Sequence, residues 1–493
     1  LELNELQLVF YDSKENKKLP FKPADPNQVK IYSCGPTVYN YSHIGNIRSY
    51  LFVDILRRTL KLFGYTLDQT MNITDIDDKI IKESIQQKVS IEEFTKPWTD
   101  RFFADLKTLN VEKVEHYPKA TESIKEMMEI IQRLDIQGLI YEKEGNIYFS
   151  IQKFKNYGSL SKIDTSGMIT GARYDADEYE KDNIRDFVLW KAPKEEGEKY
   201  WDTIYGKGRP GWHLECSAMI RQIYSSGIDI HTGGIDLLFP HHENEIAQSE
   251  GAYPNEEFVR YWLHCEHLLV DGQKMSKSKG NFYVLQDILE AGHSWRSIRF
   301  LLLSFHYRTK LNFSFERLIE AKHSIERIQN TVLRVLEKIV ELSPDSRVLD
   351  LAIKTTDDII KSKPKSIGLA FYSEFIEGLA DDLNTPKAIA SIFDSIKIIN
   401  TNLDKNSYSL DDLEDLVNYF HQVDVLLGLL DFSIPKDSDT TEEDKNILAK
   451  IDERNLAKQN KDFGRADAIR DELKDQGIIL EDSKDGKVRW KRI

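Results

Sequence analysis

At 493 residues with 40% hydrophobic side chains, the chain is long enough for several domains around more than one core. No apolar run reaches bilayer length, Leu1-Glu2-Leu3-Asn4-Glu5 lacks the charge and apolar core of a signal peptide, and three cysteines cannot build a disulfide framework, which points to a cytoplasmic chain without a membrane partner. The net charge of −15 excludes a uniformly basic nucleic-acid binder but not a locally basic one, because screening confines each charge to about 8 Å.

Val29 to Cys34 reads as a short buried strand ended by Gly35-Pro36. A helix follows, with Ile44, Ile47, Leu51 and Ile55 on one face and Arg48, Arg57 and Arg58 expected on the surface. His43 and Gly45 sit at its positive end, where free N–H groups favour an anion and Gly45 leaves the backbone open to a nucleotide. Asn46 completes the string His43-Ile44-Gly45-Asn46; its amide donates a hydrogen bond but cannot titrate. Later, Glu144-Gly145-Asn146 separates two strand-like segments within Tyr141–Ser150, as a hairpin would.

The strings Gly211–Cys216 and Phe239–Glu245 carry a second constellation. If a helix starts after Pro240, His241 and Glu245 share one face and His242 points away. A zinc-protease pattern needs histidine where Ile246 stands, so that reading fails. With Cys34 and Cys216, His241 and Glu245 form a set of two thiolates, one imidazole and one carboxylate that suits zinc. Such an ion takes a substrate thiol as thiolate and passes over a hydroxyl. A purely steric pocket separates groups as similar as serine and cysteine by only about 1–3 kcal/mol. Cys265 reads as core.

Leu268-Leu269-Val270 leads through Asp271-Gly272-Gln273 into Lys274-Met275-Ser276-Lys277-Ser278 and then Gly280, a glycine-flanked loop that can move and bring two lysines to a triphosphate. Leu318, Ala321, Ile325, Ile328, Val332, Val335, Ile339 and Leu342 mark a bundle helix ending at Pro344, and Thr385 is read as the cap of a later helix. Ser433–Asp444 reads as a linker and Asn455–Leu473 as a polar helix; Gly477–Leu480 and Val488–Trp490 read as a hairpin about Asp485-Gly486. From Lys445 to Ile493, 13 basic residues face 10 acidic ones, and Arg489-Trp490-Lys491-Arg492 offers stacking and phosphate contacts to RNA.

The paired strings at His43–Asn46 and Lys274–Ser278 resemble the signatures of class I aminoacyl-tRNA synthetases, with Asn46 where many members carry histidine. Tyr32–Tyr39, Gly211–Met219 and Phe239–Glu250 resemble motifs of the cysteinyl-tRNA synthetase family. The resemblance implies an α/β fold: a split Rossmann-like parallel-sheet catalytic domain in 1–125 and 205–262, a connective insertion in 126–204, and a connecting region with the lysine loop in 263–317. It further implies an α-helical bundle in 318–432 for the anticodon stem and a small mixed α/β C-terminal domain in 433–493 for the anticodon.

By the same resemblance the partners are ATP, L-cysteine and tRNA(Cys), with magnesium accompanying ATP and one zinc held by Cys34, Cys216, His241 and Glu245. Catalytic roles fall to His43, Asn46, Lys274 and Lys277, and ATP contacts to these four with Gly45 and Ser276. Thr37, Trp212 and His231 stand beside the amino acid, and a monomer is the family's habit. Two other readings stay open: a ligase joining cysteine to an amino sugar on the same core, whose family lacks the terminal RNA-reading domain, and a non-catalytic RNA-binding relic.

Overall fold

The computed structural model describes residues 6–163, 173–174, 186–194, 197–275, 280–344, 356–433, 442–482 and 488–492. Four parallel strands form the central sheet, in the spatial order Val259–Cys265, Ile228–Gly234, Gln28–Ser33, Thr66–Met71. The two inner strands are covered on both faces, with Val29, Ile31, Tyr32 and Ile230 buried and Asp229 and His231 buried beside them as polar exceptions. Gln28–Ser33 is flanked by the strand that follows it in the chain and by one nearly two hundred residues later. The chain therefore leaves the sheet in opposite directions from this point, and a crevice opens beyond the carboxyl ends of Gln28–Ser33 and Ile228–Gly234.

The helix Ile44–Leu62 crosses from the first strand to the second. Its apolar stripe is where the spacing puts it, but Arg48, Arg57 and Arg58 are buried instead of lying on the surface. The reason is that the helix has no solvent side: it also packs on Trp295–Leu303 and on Leu410–Leu427. Each arginine is consequently matched inside the protein. Arg57 pairs with Glu112 and Glu115, and Arg58 with Asp54.

Residues 140 to 210 supply a largely antiparallel sheet beside the catalytic core. Its first hairpin pairs Ile140–Lys143 with Asn146–Phe149 through Glu144 and Gly145, both at positive φ, as a tight two-residue turn requires. Phe149, Phe187, Leu189 and Trp190 of this sheet share one hydrophobic cluster with Leu214 and Ala218 of the helix Trp212–Tyr224. The sheet is thus built onto the site-bearing half of the fold. A three-stranded sheet, Gln273–Lys274, Leu268–Val270 and Leu311–Phe313, carries the base of the lysine loop.

Four longer helices follow: Phe315–Leu342, Ile367–Ala380, Thr385–Asp404 and Leu410–Leu427. The predicted stripe is buried from Leu318 to Ile339, but Leu342 is exposed because the helix runs out of partners in its last turn. The cap of the third helix is Asn384, whose side chain accepts from the Lys387 N–H, and Thr385 is the first helical residue. The polar helix expected over Asn455–Leu473 is two helices, Glu442–Gln459 and Phe463–Asp475, broken where Lys461 takes positive φ. Ile478–Asp482 and Val488–Arg492 pair antiparallel as expected; Asp485-Gly486 and the Ser276 to Lys279 segment lie outside the described residues.

One buried knot joins the bundle to the catalytic helix. Asp54 accepts from Arg58 Nε at 2.7 Å and from Arg299 Nη2 at 2.6 Å. The same two guanidinium groups donate to the carbonyls of Val425, Leu426 and Leu427, the last turn of Leu410–Leu427, where cations favour the helix dipole. Burial alone would raise the Asp54 pKa, yet Arg58 and Arg299 outweigh it and hold the carboxyl below its ordinary range. Arg299→Leu leaves the helix-end carbonyls without one of their donors and unbalances a buried ion group, a loss of about 3–5 kcal/mol. The expected result is a markedly lower thermal midpoint by calorimetry, and melting like the parent protein would show that the knot holds nothing.

Candidate active site

Cys34 follows directly on the central strand, and its N–H donates to Thr232 O at 3.1 Å, which fixes it at the mouth of the crevice. Gly35 is required beside it: a Cβ there would come within 1.9 Å of Asn72 O, and the Gly35 N–H donates to Asn72 Oδ1. The segment after the second strand thereby shapes the turn carrying the first thiol. A cavity of about 500 Å³ opens here, lined among others by Cys34, Thr37, His43, Asn46, Trp212, Cys216 and His241. It brings two residues of the His43 string, two cysteines and Trp212 into one space.

At the cavity floor, the helix Trp212–Tyr224 supplies Cys216 and the helix Glu243–Ala252 supplies Glu245. An irregular turn, Leu238–His242, precedes the second helix and changes the predicted geometry. His242 does not point away. His241 Nε2 lies 3.0 Å and His242 Nε2 4.0 Å from Glu245 Oε1, because the two rings splay to either side of the carboxylate from a turn that is not regular α-helix. One donor atom each from Cys34, His241, His242 and Glu245 falls within 4.8 Å of the others, a group able to hold a metal ion. Cys216 adjoins this quartet, within hydrogen-bonding reach of the Cys34 sulfur and the His241 ring.

The donors suit a borderline-soft cation: one sulfur, two imidazole nitrogens and a carboxylate oxygen lie together, with the Cys216 sulfur adjoining them. Glu245 Oε1 is buried with no aligned hydrogen-bond donor, although an imidazole stands 3.0 Å away. A buried anionic oxygen in that position calls for positive charge. The hydrogen bond from Cys34 is the main cause that lowers the Cys216 thiol to about 6, while the Cys34 thiol is raised well above its ordinary value. Burial opposes charge on Glu245, but His231 and His241 overcome it and bring the carboxyl down to about 2. Burial also works against a charged His241, but Cys216 and Glu245 prevail and raise it to about 10.

Outside the quartet, partners fix each ring. His231 does not line the cavity; its Nε2 is 3.0 Å from Glu245 Oε2, so it aims the carboxylate. His213 Nδ1 is 3.0 Å from His241 Nδ1, which leaves His241 Nε2 for the cluster, and Trp212 stacks on His241 with ring centres 4.3 Å apart. His264 Nε2 is 2.8 Å from His242 Nδ1, and Ser13 Oγ closes that chain at 2.7 Å from His264 Nδ1. Burial, reinforced by neighbouring imidazoles, lowers His264 to about 3 and holds His242 neutral. His213, His242 and His264 were missed in the sequence although two signals existed. His213 stands three residues before Cys216 on one helix face, and alternation along Val259–Cys265 puts Trp262 and His264 on the side opposite Cys265. Cys265 is buried in the core, and none of the three cysteines is disulfide-bonded.

At the other end of the cavity, His43 caps the helix Ile44–Leu62. Its Nδ1 accepts from the N–H groups of Gly45 and Asn46 at 3.1 and 3.2 Å, and Asn46 Oδ1 accepts from the His43 N–H at 3.1 Å. With Nδ1 acting as acceptor, the proton of the neutral ring resides on Nε2, and burial lowers the pKa to favour that neutral form. Gly45 is closed over by Met275, whose Cε would stand 2.8 Å from a Cβ at that position. The two separated strings therefore touch. Lys274 is exposed on the strand Gln273–Lys274, while Ser276 and Lys277 lie outside the described residues.

Two family models match the chain: the tRNA synthetases class I (C) catalytic domain over residues 20–323 and the DALR domain over residues 374–431. A Cysteine--tRNA ligase of Leptospira interrogans serogroup Icterohaemorrhagiae serovar Lai (strain 56601) is 58% identical over 99% of this chain and 100% of its own length. One from Brachyspira hyodysenteriae (strain ATCC 49526 / WA1) is 42% identical over 98% of this chain and 99% of its own. Among solved structures, Mycobacterium tuberculosis methionyl-tRNA synthetase in complex with methionyl-adenylate shares the fold, with a TM-score of 0.58 at 14% identity, covering 81% of this chain and 89% of that one. With the catalytic family spanning more than half of the chain and relatives aligned from end to end, the protein belongs to the cysteine--tRNA ligases, a family of class I aminoacyl-tRNA synthetases.

Proposed function

We propose that the protein activates L-cysteine with ATP to cysteinyl-adenylate and pyrophosphate, then transfers the cysteinyl group to the 3′ end of tRNA(Cys). The observation that carries the reading is the shared cavity, in which a thiol-and-imidazole cluster capable of holding a metal faces a helix start capable of holding phosphate. The resident metal of this reading is zinc, held by Cys34, Cys216, His241 and Glu245, with His242 as a close neighbour. When bound, zinc takes a substrate thiol as thiolate, a test that serine's hydroxyl fails.

The protein's own groups do the remaining work. His231 and His213 orient Glu245 and His241, and Trp212, stacked on His241, walls the amino-acid end beside Thr37. His43 keeps Nδ1 occupied by the helix cap and presents Nε2–H as a donor to the triphosphate, while the helix start adds its dipole. Asn46 closes the cap and so holds His43 in that orientation. The cysteine carboxylate attacks the α-phosphorus in line, the bond to the bridging oxygen breaks, and magnesium pyrophosphate departs with the negative charge. Lys274 and Lys277 stabilise that charge as it develops. In the second step a ribose hydroxyl of the terminal adenosine attacks the acyl carbon, and AMP leaves.

The bundle and the C-terminal pair of helices and strands are the tRNA-reading surfaces in this proposal, consistent with a local excess of basic over acidic residues after Lys445. The side chains of Arg489, Trp490, Lys491 and Arg492 lie outside those described. No helix among the described residues is long and apolar enough to cross a membrane, and the reading places the enzyme in the cytoplasm as a monomer.

Two measurements test the two ends of the cavity. Cys216→Ser is expected to lose most of the bound zinc by elemental analysis and most cysteine-dependent ATP–pyrophosphate exchange; full activity without metal would reduce the cluster to a structural feature. Lys277→Ala is expected to keep its zinc while exchange slows by about 10²–10³-fold, the loss of about 2.7–4 kcal/mol typical of one transition-state donor. Near-normal exchange in that variant would remove Lys277 from the chemistry.

A further inference from the structure

We infer that Arg48 is a positioning residue for adenylate formation: it locks the sheet that carries the lysine loop onto the helix that His43 caps. The inference rests on the activity proposed above and adds a residue outside the cavity. Arg48 lies just over one helical turn beyond His43 and is buried at 3% exposure. Its Nη1 donates to Glu266 O at 2.8 Å and to His267 O at 2.7 Å; its Nη2 donates to His306 O at 3.2 Å and to Thr309 O. All of its partners among the described residues are backbone carbonyls.

The identity of those carbonyls gives the arrangement its meaning. Glu266 and His267 immediately precede the strand Leu268–Val270, whose hairpin partner is Gln273–Lys274; Thr309 lies two residues before the strand Leu311–Phe313. One guanidinium thus holds the entry points of both parallel strands in the three-stranded sheet. The downstream stem of the loop is tied to the same helix start, since the Ile44 N–H donates to Tyr283 O at 2.9 Å and His43 bridges Val284. A planar fork meets four converging carbonyls in a way that a lysine ammonium cannot reproduce. A buried cation hydrogen-bonded only to neutral dipoles among the described residues, whose charge burial still disfavours despite Glu266 nearby, is also a costly choice for stability alone. Registry between the two phosphate-binding strings is what the arrangement secures, and a misplacement of about 1 Å is enough to cost about 10²-fold in rate.

The test uses the full-length zinc enzyme with Arg48→Met and Arg48→Lys, each alone and combined with Lys277→Ala. Expected for both single variants are unchanged zinc content, cysteine affinity within about two-fold by calorimetry, and a fall of about 10–100-fold in the kcat of cysteine-dependent pyrophosphate exchange. Because Arg48 acts through the loop, either double variant should exchange at close to the rate of Lys277→Ala alone, the non-additivity of residues working as a unit. Multiplying losses, parental exchange in the single variants, or a parallel loss of zinc and cysteine binding each overturns the assignment, as does failure of both variants to fold. An unmodified protein with no cysteine-dependent exchange overturns the functional reading itself, and the positioning role falls with it.

Discussion

Burial of the helix Ile44–Leu62 on every side is the constraint around which the molecule is arranged. A helix at a protein surface leaves its polar residues to water. This one lies between the parallel sheet, Trp295–Leu303 and Leu410–Leu427, so every charge it carries needs a partner in the interior. The partners are drawn from distant parts of the chain: carbonyls at the base of the lysine loop for Arg48, loop carboxylates after the second strand for Arg57, and the end of a bundle helix for Arg58. The electrostatic requirements of a single element thereby register three regions that would otherwise meet only through apolar contact, which tolerates sliding. Its N-cap is at the same time His43, held in place by the Gly45 and Asn46 N–H groups.

The metal-binding cluster meets a related difficulty with different chemistry. Glu245 and the Cys216 thiol concentrate negative charge in a dry site, and the surrounding positions hold imidazoles that donate and accept in series. Histidine suits that role because a neutral ring offers one donor and one acceptor, so a chain from Ser13 through His264 to His242 can be satisfied without adding net charge. Protonating His264 or His242 would place cations beside one another in the interior, and burial forbids it. His264 therefore stays neutral, and a neutral His242 keeps Nε2 available beside Cys34, His241 and Glu245 in the group able to hold a metal ion.

Much of this was legible in the sequence, for identifiable reasons. The core strands and bundle stripes carry their period in the apolar positions, and the strings at His43 and Lys274, singled out by their resemblance to family signatures, meet where Met275 covers Gly45. Cys34, His241 and Glu245 stood out because cysteine, histidine and glutamate combine in few ways, and these three are in the group able to hold a metal ion. What was not legible depended on the assumption of a regular, half-exposed helix. That assumption sent Arg48, Arg57 and Arg58 to the surface when tertiary packing enclosed them, and it turned His242 away when the Leu238–His242 turn set it against Glu245. Thr385 was read as a cap because it precedes proline, whereas Asn384 has the side chain that reaches Lys387 N. In each case local periodicity was sound and the neighbour across space decided the outcome.

Gly45 shows how the same residue can answer two demands. The sequence suggests open backbone for a nucleotide; in the structure the space above it holds the Met275 methyl, against which any β-carbon would collide. Met275 thus occupies the surface that the sequence assigns to a nucleotide. The stems of that segment are fixed to the helix, by Arg48 on one side and by Tyr283 and Val284 on the other. Asp271, Gly272 and Gly280, all at positive φ, turn the chain between those stems. With both stems tied to one helix start, Lys274 and Met275 are held in register with His43 by the backbone rather than by apolar contact alone, and register of this kind is what in-line phosphoryl chemistry demands.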